Sequence, residues 1–181
     1  MEVFDQQEGI AQYAGPCGWN DPDMLMVGLY GKGASSNAGN GGKGCSEDEY
    51  KSNFALWCML ASPLIVNSDL RNIATQSLQL LTNKDLIAIN QDKLGKQAIT
   101  IYKKDSLQVL KKELSNGNIA LCILNRSSTT KTGTFNTGKD LNVFKPYTMV
   151  KAIFQNKTQK IKTRITYSLR AHECEVYRFS N

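Results

Sequence analysis

Histidine and closely spaced cysteine are what this sequence has least of. The one histidine is His172, and the five cysteines (Cys17, Cys45, Cys58, Cys122 and Cys174) form no Cys-x-x-Cys pair. A structural zinc site needs about four ligands at tight local spacing, so the pattern argues against a structural metal. No run approaches the ~18 apolar residues required of a bilayer-spanning helix. The opening, MEVFDQQEGIAQYAG, lacks the basic start and apolar core of a signal peptide. It reads like the interior of a longer chain. Phosphate-binding loops are missing too. In GLYGKGASSNAGNGGKG (28–44), Lys43 is followed by Gly44 where a Walker motif needs Ser or Thr, and Ser36 interrupts any GxGxxG. The long Gly/Asn/Ser stretch is therefore expected to be a mouth or lid loop.

What the chain does contain is ordinary globular content, with 181 residues, 41% hydrophobic and 21% charged. That suffices for one domain or two small ones with a buried core. Charge divides sharply along it. Residues 1–95 carry 6 Lys and Arg against 11 Asp and Glu, and residues 96–181 carry 16 against 5. The change of sign near Gly95 predicts two units, 1–95 and 96–181. A basic second half could attract polyanions or could be a lysine-rich solvated β surface. The lack of arginine–aromatic interleaving favours the second reading and speaks against nucleic acid.

The first unit alternates strand and helix. DMLMVG reads as a strand, and the SEDE stretch that follows the glycine-rich loop predicts a capping box of Ser46 and Glu49. Tyr50, Phe54, Trp57 and Ala61 recur at helical spacing as a buried face. SPLIVNSDL reads as a buried parallel strand, and QSLQLL and KDLIAINQD as helix, with Leu78, Leu81, Ile87 and Ile89 facing the core. This is the grammar of two β/α units. After Gly95, seven or eight short β-branched and aromatic runs recur at roughly ten-residue spacing, with a hairpin signal at SNGN (115–118). An antiparallel β-sandwich is expected. In its last strand, ECEVYRF, Cys174, Val176 and Arg178 alternate with Glu175, Tyr177 and Phe179. That mixture suggests an edge or terminal strand partly buried on both sides.

Cys58 and Cys122 lie in apolar runs and are expected to be buried thiols. Cys17 and Cys45 bracket the glycine-rich loop and could pair. The triplets Asn125-Arg126-Ser127 and Asn156-Lys157-Thr158 would accept glycans in a secretory pathway.

The stretch GPCGWNDPDML (15–25) raises the sharpest question. In an extended segment Asp21 and Asp23 share a face, their carbons about 6.5–7 Å apart. Retaining glycosidases space their carboxyl groups at about 5–5.5 Å and inverting ones at about 6.5–9.5 Å. Pro22 stiffens the segment, so a turn braced by Asp21 is equally open.

GPCGWNDPDMLMVG, NFALWCMLASPLIVNSDLRNI and LTNKDLIAINQDKLGKQA, three blocks in order over about residues 9–98, resemble glycoside hydrolase family 27, the α-galactosidase and α-N-acetylgalactosaminidase group. Cys17, where relatives commonly have glycine, and the long glycine-rich loop depart from the family pattern. The resemblance implies the seventh and eighth units of a (β/α)8 barrel in residues 1–95, followed by an antiparallel β-sandwich in 96–181. It implies that Asp23 and Met24 line a sugar pocket, that Trp19, Asn20 and Asp21 brace it, and that the substrate is a terminal α-galactoside. No cofactor or metal, nucleic acid or membrane is implied. The family's two reacting aspartates fall in none of these blocks, so this chain alone is expected to be inactive. Two barrel units alone would expose strand edges and apolar faces, so it is expected to dimerise, to pair with a complementing chain or to belong to a longer protein. The full-length parent is expected to be secreted or lysosomal/vacuolar. A carbohydrate- or polyanion-binding module, or a subunit completing a barrel in trans, is the competing expectation.

Overall fold

The computed structural model describes residues 2–32, 44–141, 143, 147–161 and 163–181. Most of the expected lid loop, residues 33–43, lies outside the described residues. Four α-helices precede eight strands: α1 (Glu2–Asp5), α2 (Glu47–Leu60), α3 (Thr75–Leu81) and α4 (Lys84–Asn90), then β1 (Ile99–Lys104), β2 (Leu107–Glu113), β3 (Ile119–Asn125), β4 (Lys131–Asn136), β5 (Met149–Ala152), β6 (Lys157–Lys160), β7 (Arg164–Leu169) and β8 (Cys174–Ser180).

Helix α2 begins with the predicted box. Glu49 N–H donates to Ser46 Oγ (3.3 Å), and Ser46 N–H donates to Glu49 Oε2 (2.7 Å). Three acidic residues in the first turn face the positive end of the helix dipole. The helix stops at Ala61, which turns left-handed (φ 57°) two residues before Pro63. Tyr50, Phe54, Trp57 and Ala61 are all buried. Helix α4 is capped by Asn83, whose Oδ1 accepts from Asp85 and Leu86 N–H. Leu78 departs from expectation. It is 46% exposed, while Ser77 on α3 is buried and its hydroxyl meets Tyr30 Oη at 2.9 Å. Leu81 packs against the core as expected, and Leu80 takes the place foreseen for Leu78.

The two expected parallel strands reduce to one parallel bridge, Leu25 with Val66, with Leu25 N–H donating to Ile65 O at 2.8 Å. Parallel pairing is weaker per residue than antiparallel, and a two-stranded unit is marginal without further neighbours.

The strands form a six-stranded sheet, order β1-β2-β3-β8-β5-β6, and a two-stranded sheet of β4 and β7, with every pair antiparallel. Alternate residues of β3 and β8 serve two cores. Ala120, Cys122, Leu124, Cys174 and Val176 face α2, while Leu121, Ile123, Tyr177 and Phe179 face β4 and β7. Strand β8 is therefore central, between β3 and β5, and not at an edge. Its two-faced burial comes from having a helix on one side and a sheet on the other. The sheet's edges are β1 and β6; β6 is exposed along its whole length, and its Lys157 and Lys160 discourage pairing with another chain.

Part of the charge division is resolved within the molecule. Six ion pairs join the acidic first 95 residues to the basic remainder: Arg126–Asp5, Lys103–Glu8, Lys51–Glu173, Arg170–Asp48, Lys151–Asp85 and Arg178–Asp85. Arg126 grips Asp5 with both terminal nitrogens (2.6 and 2.7 Å), and this contact first, aided by nearby cations, holds the Asp5 carboxyl below its usual range.

One cation in this junction has no carboxylate partner at hydrogen-bond distance. Lys112 on β2 is fully buried, and its Nζ donates to Cys58 O at 3.1 Å, in the last turn of α2. Burial lowers its pKa to about 8, with Cys58 and Asp92 offsetting part of the effect. A folded-state value below the unfolded ~10.5 means that the unfolded chain holds the proton more tightly. The charged, buried amine costs stability below pH 8, and that cost fades as pH rises to the unfolded value. Measured by urea unfolding, wild type should gain on the order of 3 kcal/mol over Lys112→Met between pH 7 and 10.5. Parallel pH profiles for the two proteins would contradict this.

Candidate functional site

Residues 15–26 pass from a tight turn into the parallel bridge. Gly15 and Gly18 exchange both backbone hydrogen bonds (2.8 and 3.0 Å), folding Pro16 and Cys17 into a loop in which Cys17 is left-handed (φ 83°). Gly95 packs against this loop. Its φ of 61° is left-handed, and a Cβ there would press on Pro16 and on the Trp19 indole at 3.1–3.2 Å. Trp19 itself is 47% exposed. Asn20 reaches the opposite way, its Nδ2 donating to Ile10 O (3.0 Å) and Gln97 Oε1 (2.8 Å). Gln97 in turn donates to Gln7 O at 2.8 Å, so Asn20 is tied to both the first helix and the approach to β1.

The two aspartates do not lie in an extended segment. Asp21 Oδ1 accepts from Asp23 N–H (2.9 Å), closing an Asx turn around the buried Pro22. Asp23 is left-handed, with φ 77°, and its Oδ1 accepts from Met24 N–H at 2.6 Å. The same-face, two-rise geometry of an acid–base pair is thus corrected: the Asx turn and the left-handed backbone of Asp23 itself break the strand period. Asp21 spends one carboxylate oxygen on the turn. Both carboxylates are exposed.

A non-glycine residue with positive φ costs about 1–3 kcal/mol unless its surroundings hold it there. Asp23 is held at three points: by Asp21, by its own carboxylate on Met24, and by Trp57, whose Nε1–H donates to Asp23 O at 2.7 Å. The bridge then anchors Leu25, and Asn53 Oδ1 accepts from Met26 N–H at 2.9 Å. Met24 and Ile65, each one residue before the bridge partners, are 40% and 50% exposed. The result is an open wall: one rigidly placed carboxylate beside a thioether and aromatic surface. None of the four described cavities is lined by Asp23 or Met24.

Trp57 was legible in sequence only as a member of a buried helical face, and Asn53 was not singled out at all. The missed signal was chemical: a buried indole N–H requires an acceptor, and here the acceptor is the strained turn. A second brace closes the base of the glycine-rich stretch. Tyr50 Oη accepts from Tyr30 N–H (2.6 Å), and Tyr30 Oη donates to Glu47 Oε1 (2.7 Å).

Cys17 and Cys45 are free thiols, so the bond their spacing allowed is not made. Cys17 is exposed in its turn, whereas Cys45 packs against the first core, where burial and then Glu49 push its pKa up. Cys58, Cys122 and Cys174 are buried and free. Asn125 is also committed: its Nδ2 donates to Thr129 O, Leu169 O and Arg170 O, leaving nothing for a glycan in the folded state. Asn156 is exposed in the turn between β5 and β6.

Comparison with known proteins agrees across both halves. A family model described as alpha galactosidase A matches residues 2–92, and one described as the alpha galactosidase C-terminal beta sandwich domain matches residues 104–179. An alpha-galactosidase of Oryza sativa subsp. japonica is 33% identical, the match covering 96% of this chain and 38% of the relative. An alpha-N-acetylgalactosaminidase of Rattus norvegicus is 40% identical over 70% of this chain and 28% of its own length. The solved structure of an alpha-galactosidase/melibiase homologue from Bacteroides fragilis superposes with a TM-score of 0.88 at 36% identity, over 99% of this chain and 38% of that one. The chain thus spans well under half the length of these relatives.

Replacing Trp57 by Phe should remove the one side-chain donor to the Asp23 carbonyl. We expect a loss of about 1–3 kcal/mol in urea unfolding, with the largest amide chemical-shift changes at Asp23 and Met24. Unchanged shifts at those two residues would mean that the indole does not hold the turn.

Proposed function

The chain belongs to glycoside hydrolase family 27, the α-galactosidase and α-N-acetylgalactosaminidase group, and from that membership we infer that its 181 residues supply one wall of a sugar pocket and the β-sandwich behind it. The barrel portion is assigned to residues 1–95 and the sandwich to 96–181. Asp23 takes hydroxyls of a terminal α-galactosyl unit, and Met24 lies against the same ring. A carboxylate suits vicinal hydroxyls because it accepts two charge-assisted hydrogen bonds. Trp19, Asn20 and Asp21 hold the wall in place.

One observation carries the reading. Asp23 keeps a costly left-handed backbone, fixed from three directions, while its carboxylate and the neighbouring Met24 stay open to solvent. Strain held at an exposed acidic residue is characteristic of a positioned functional group, and a positioned group is what sugar recognition requires.

The reaction of the complete enzyme would be retaining hydrolysis. One carboxylate attacks the anomeric carbon, a second protonates the leaving oxygen, and water then releases the sugar as that second group takes the proton back. We assign neither reacting carboxylate to a residue of this chain. Asp21 is occupied by its turn, and Asp23 lies beside it on the same short segment, whereas catalytic pairs come from the ends of different strands. No metal or organic cofactor enters this scheme. The full-length parent would belong to a secreted or vacuolar compartment, which the exposed sequon at Asn156 permits. The exposed apolar side chains near the wall, Tyr13, Trp19, Met24 and Ile65, would be covered by further barrel units, either covalently continuous or supplied by another chain. The polyanion-binding alternative is weakened, because five of the basic half's sixteen cations are spent on carboxylates of the acidic half.

The purified 181-residue chain should release nothing from 4-nitrophenyl α-galactoside beyond the buffer rate. Turnover that co-elutes with the chain and disappears in Asp23→Asn would overturn the assignment of the reacting groups.

A further inference from the structure

Strands β4 and β7 cover only part of the inner face of the six-stranded sheet. Beside β7, between it and the β5–β6 hairpin, a groove of about 180 Å³ opens to solvent. Its lining mixes the apolar Val150, Ala152, Ile161 and Ile165 with polar residues, and its charges are of one sign. Lys157 and Gln159 come from β6, Arg164 and Thr166 from β7, and Gln155 from the hairpin turn. No acidic side chain lines it among the described residues. Neither Lys157 nor Arg164 has a carboxylate partner among those residues, in contrast to the cations at the junction with α2.

The floor of the groove adds one more polar group. Tyr177 on β8 is 93% removed from solvent, with its ring in the second core, and it lines this groove. Its hydroxyl has no protein hydrogen-bond partner among the described residues, yet it is not sealed off from solvent. A buried tyrosine ordinarily finds a partner for that group. Gln155 is oriented by donating its amide to Glu175 Oε2 at 3.1 Å, which leaves its oxygen as an acceptor.

The size and chemistry select among occupants. The volume falls below the ~300 Å³ at which drug-sized pockets begin, so it holds one ring-sized unit. A nucleic-acid site would present aromatic faces for stacking, whereas Tyr177 is the one aromatic among the groove's described lining and its ring is buried in the second core. Two cations beside four uncharged donors and acceptors match a single negative group on a polyhydroxylated ring. We propose that this groove binds one acidic pyranose unit, a uronate, with Arg164 and Lys157 on its carboxylate and with Gln155, Gln159, Thr166 and the Tyr177 hydroxyl on its ring hydroxyls. An arginine can meet a carboxylate through two parallel hydrogen bonds, which supplies the selectivity over a neutral sugar. This site is separate from the wall around Asp23 and does not depend on the reading of that wall.

Titration of the ¹⁵N-labelled chain with galacturonate, followed by amide shifts, tests the proposal, with galactose, sodium sulfate and a single-stranded oligonucleotide as parallel probes. Galacturonate should give saturating shifts confined to β5, β6 and β7, with galactose weaker by about tenfold or more. Arg164→Ala should weaken galacturonate about tenfold, and Tyr177→Phe severalfold, with shifts elsewhere unchanged. Lys157→Ala, on an exposed edge strand, serves as the variant least able to disturb the fold. Equal affinity for galactose, the same response to sulfate alone, tighter oligonucleotide binding at this face, or no loss in Arg164→Ala and Lys157→Ala would each overturn it.

Discussion

Helix α2 is pressed onto the outer face of the six-stranded sheet, and the rest of the molecule is organised by that contact. Its buried face, from Tyr50 to Leu60, joins Leu110, Ala120, Cys122, Leu124, Cys174 and Val176 in one apolar cluster, together with Leu25 of the parallel bridge and Leu86 and Ile89 of α4. Without the sheet, one helix and one bridge could not enclose a core. Without the helix, β3 and β8 would expose a full apolar face. Ion pairs ring the contact, but individually exposed pairs contribute little. The packed apolar cluster sets the positions, and the charges select the mutual orientation.

The functional wall inherits its rigidity from this packing. Trp57 is buried because it belongs to the cluster, and the N–H it carries into that cluster emerges at the carbonyl of Asp23. A residue whose apolar body is fixed by one part of the fold thereby fixes the backbone of another. The strain at Asp23 is sustained by a helix whose own position is set by the sandwich. The proposed sugar-binding wall and the integrity of the β half are therefore coupled through a single side chain.

Much of this was readable from residue types. The capping box, the aromatic helical face, the hairpin at 115–118 and the sandwich each follow from local chemistry that needs no partner. What was not readable depended on partners. Leu78 fits a helical stripe, but only the rotation that places Ser77 against Tyr30 decides which residue faces inward. The alternation in β8 records burial on both sides without telling an edge from a centre, since that difference lies in where β3 and β5 dock. Asp21 and Asp23 read as a same-face pair only while the segment is taken as extended, and the left-handed turn at Asp23 becomes visible once the indole that holds it is placed. Of the candidate site residues, Asn20 and Asp21 are seen to bond outward to backbone and Gln97, and Trp57 joins them from a helix that sequence reading had assigned wholly to packing.

The most direct test of this coupling uses the placement of the two tryptophans, Trp19 and Trp57, both in the first 95 residues. Their fluorescence reports on the helical layer, while hydrogen exchange at β3 and β8 amides reports on the sandwich. Followed together through urea unfolding, the two signals should fall in one coincident transition with a single midpoint. Loss of the tryptophan signal at a clearly lower urea concentration, with β3 and β8 still protected, would contradict the shared core.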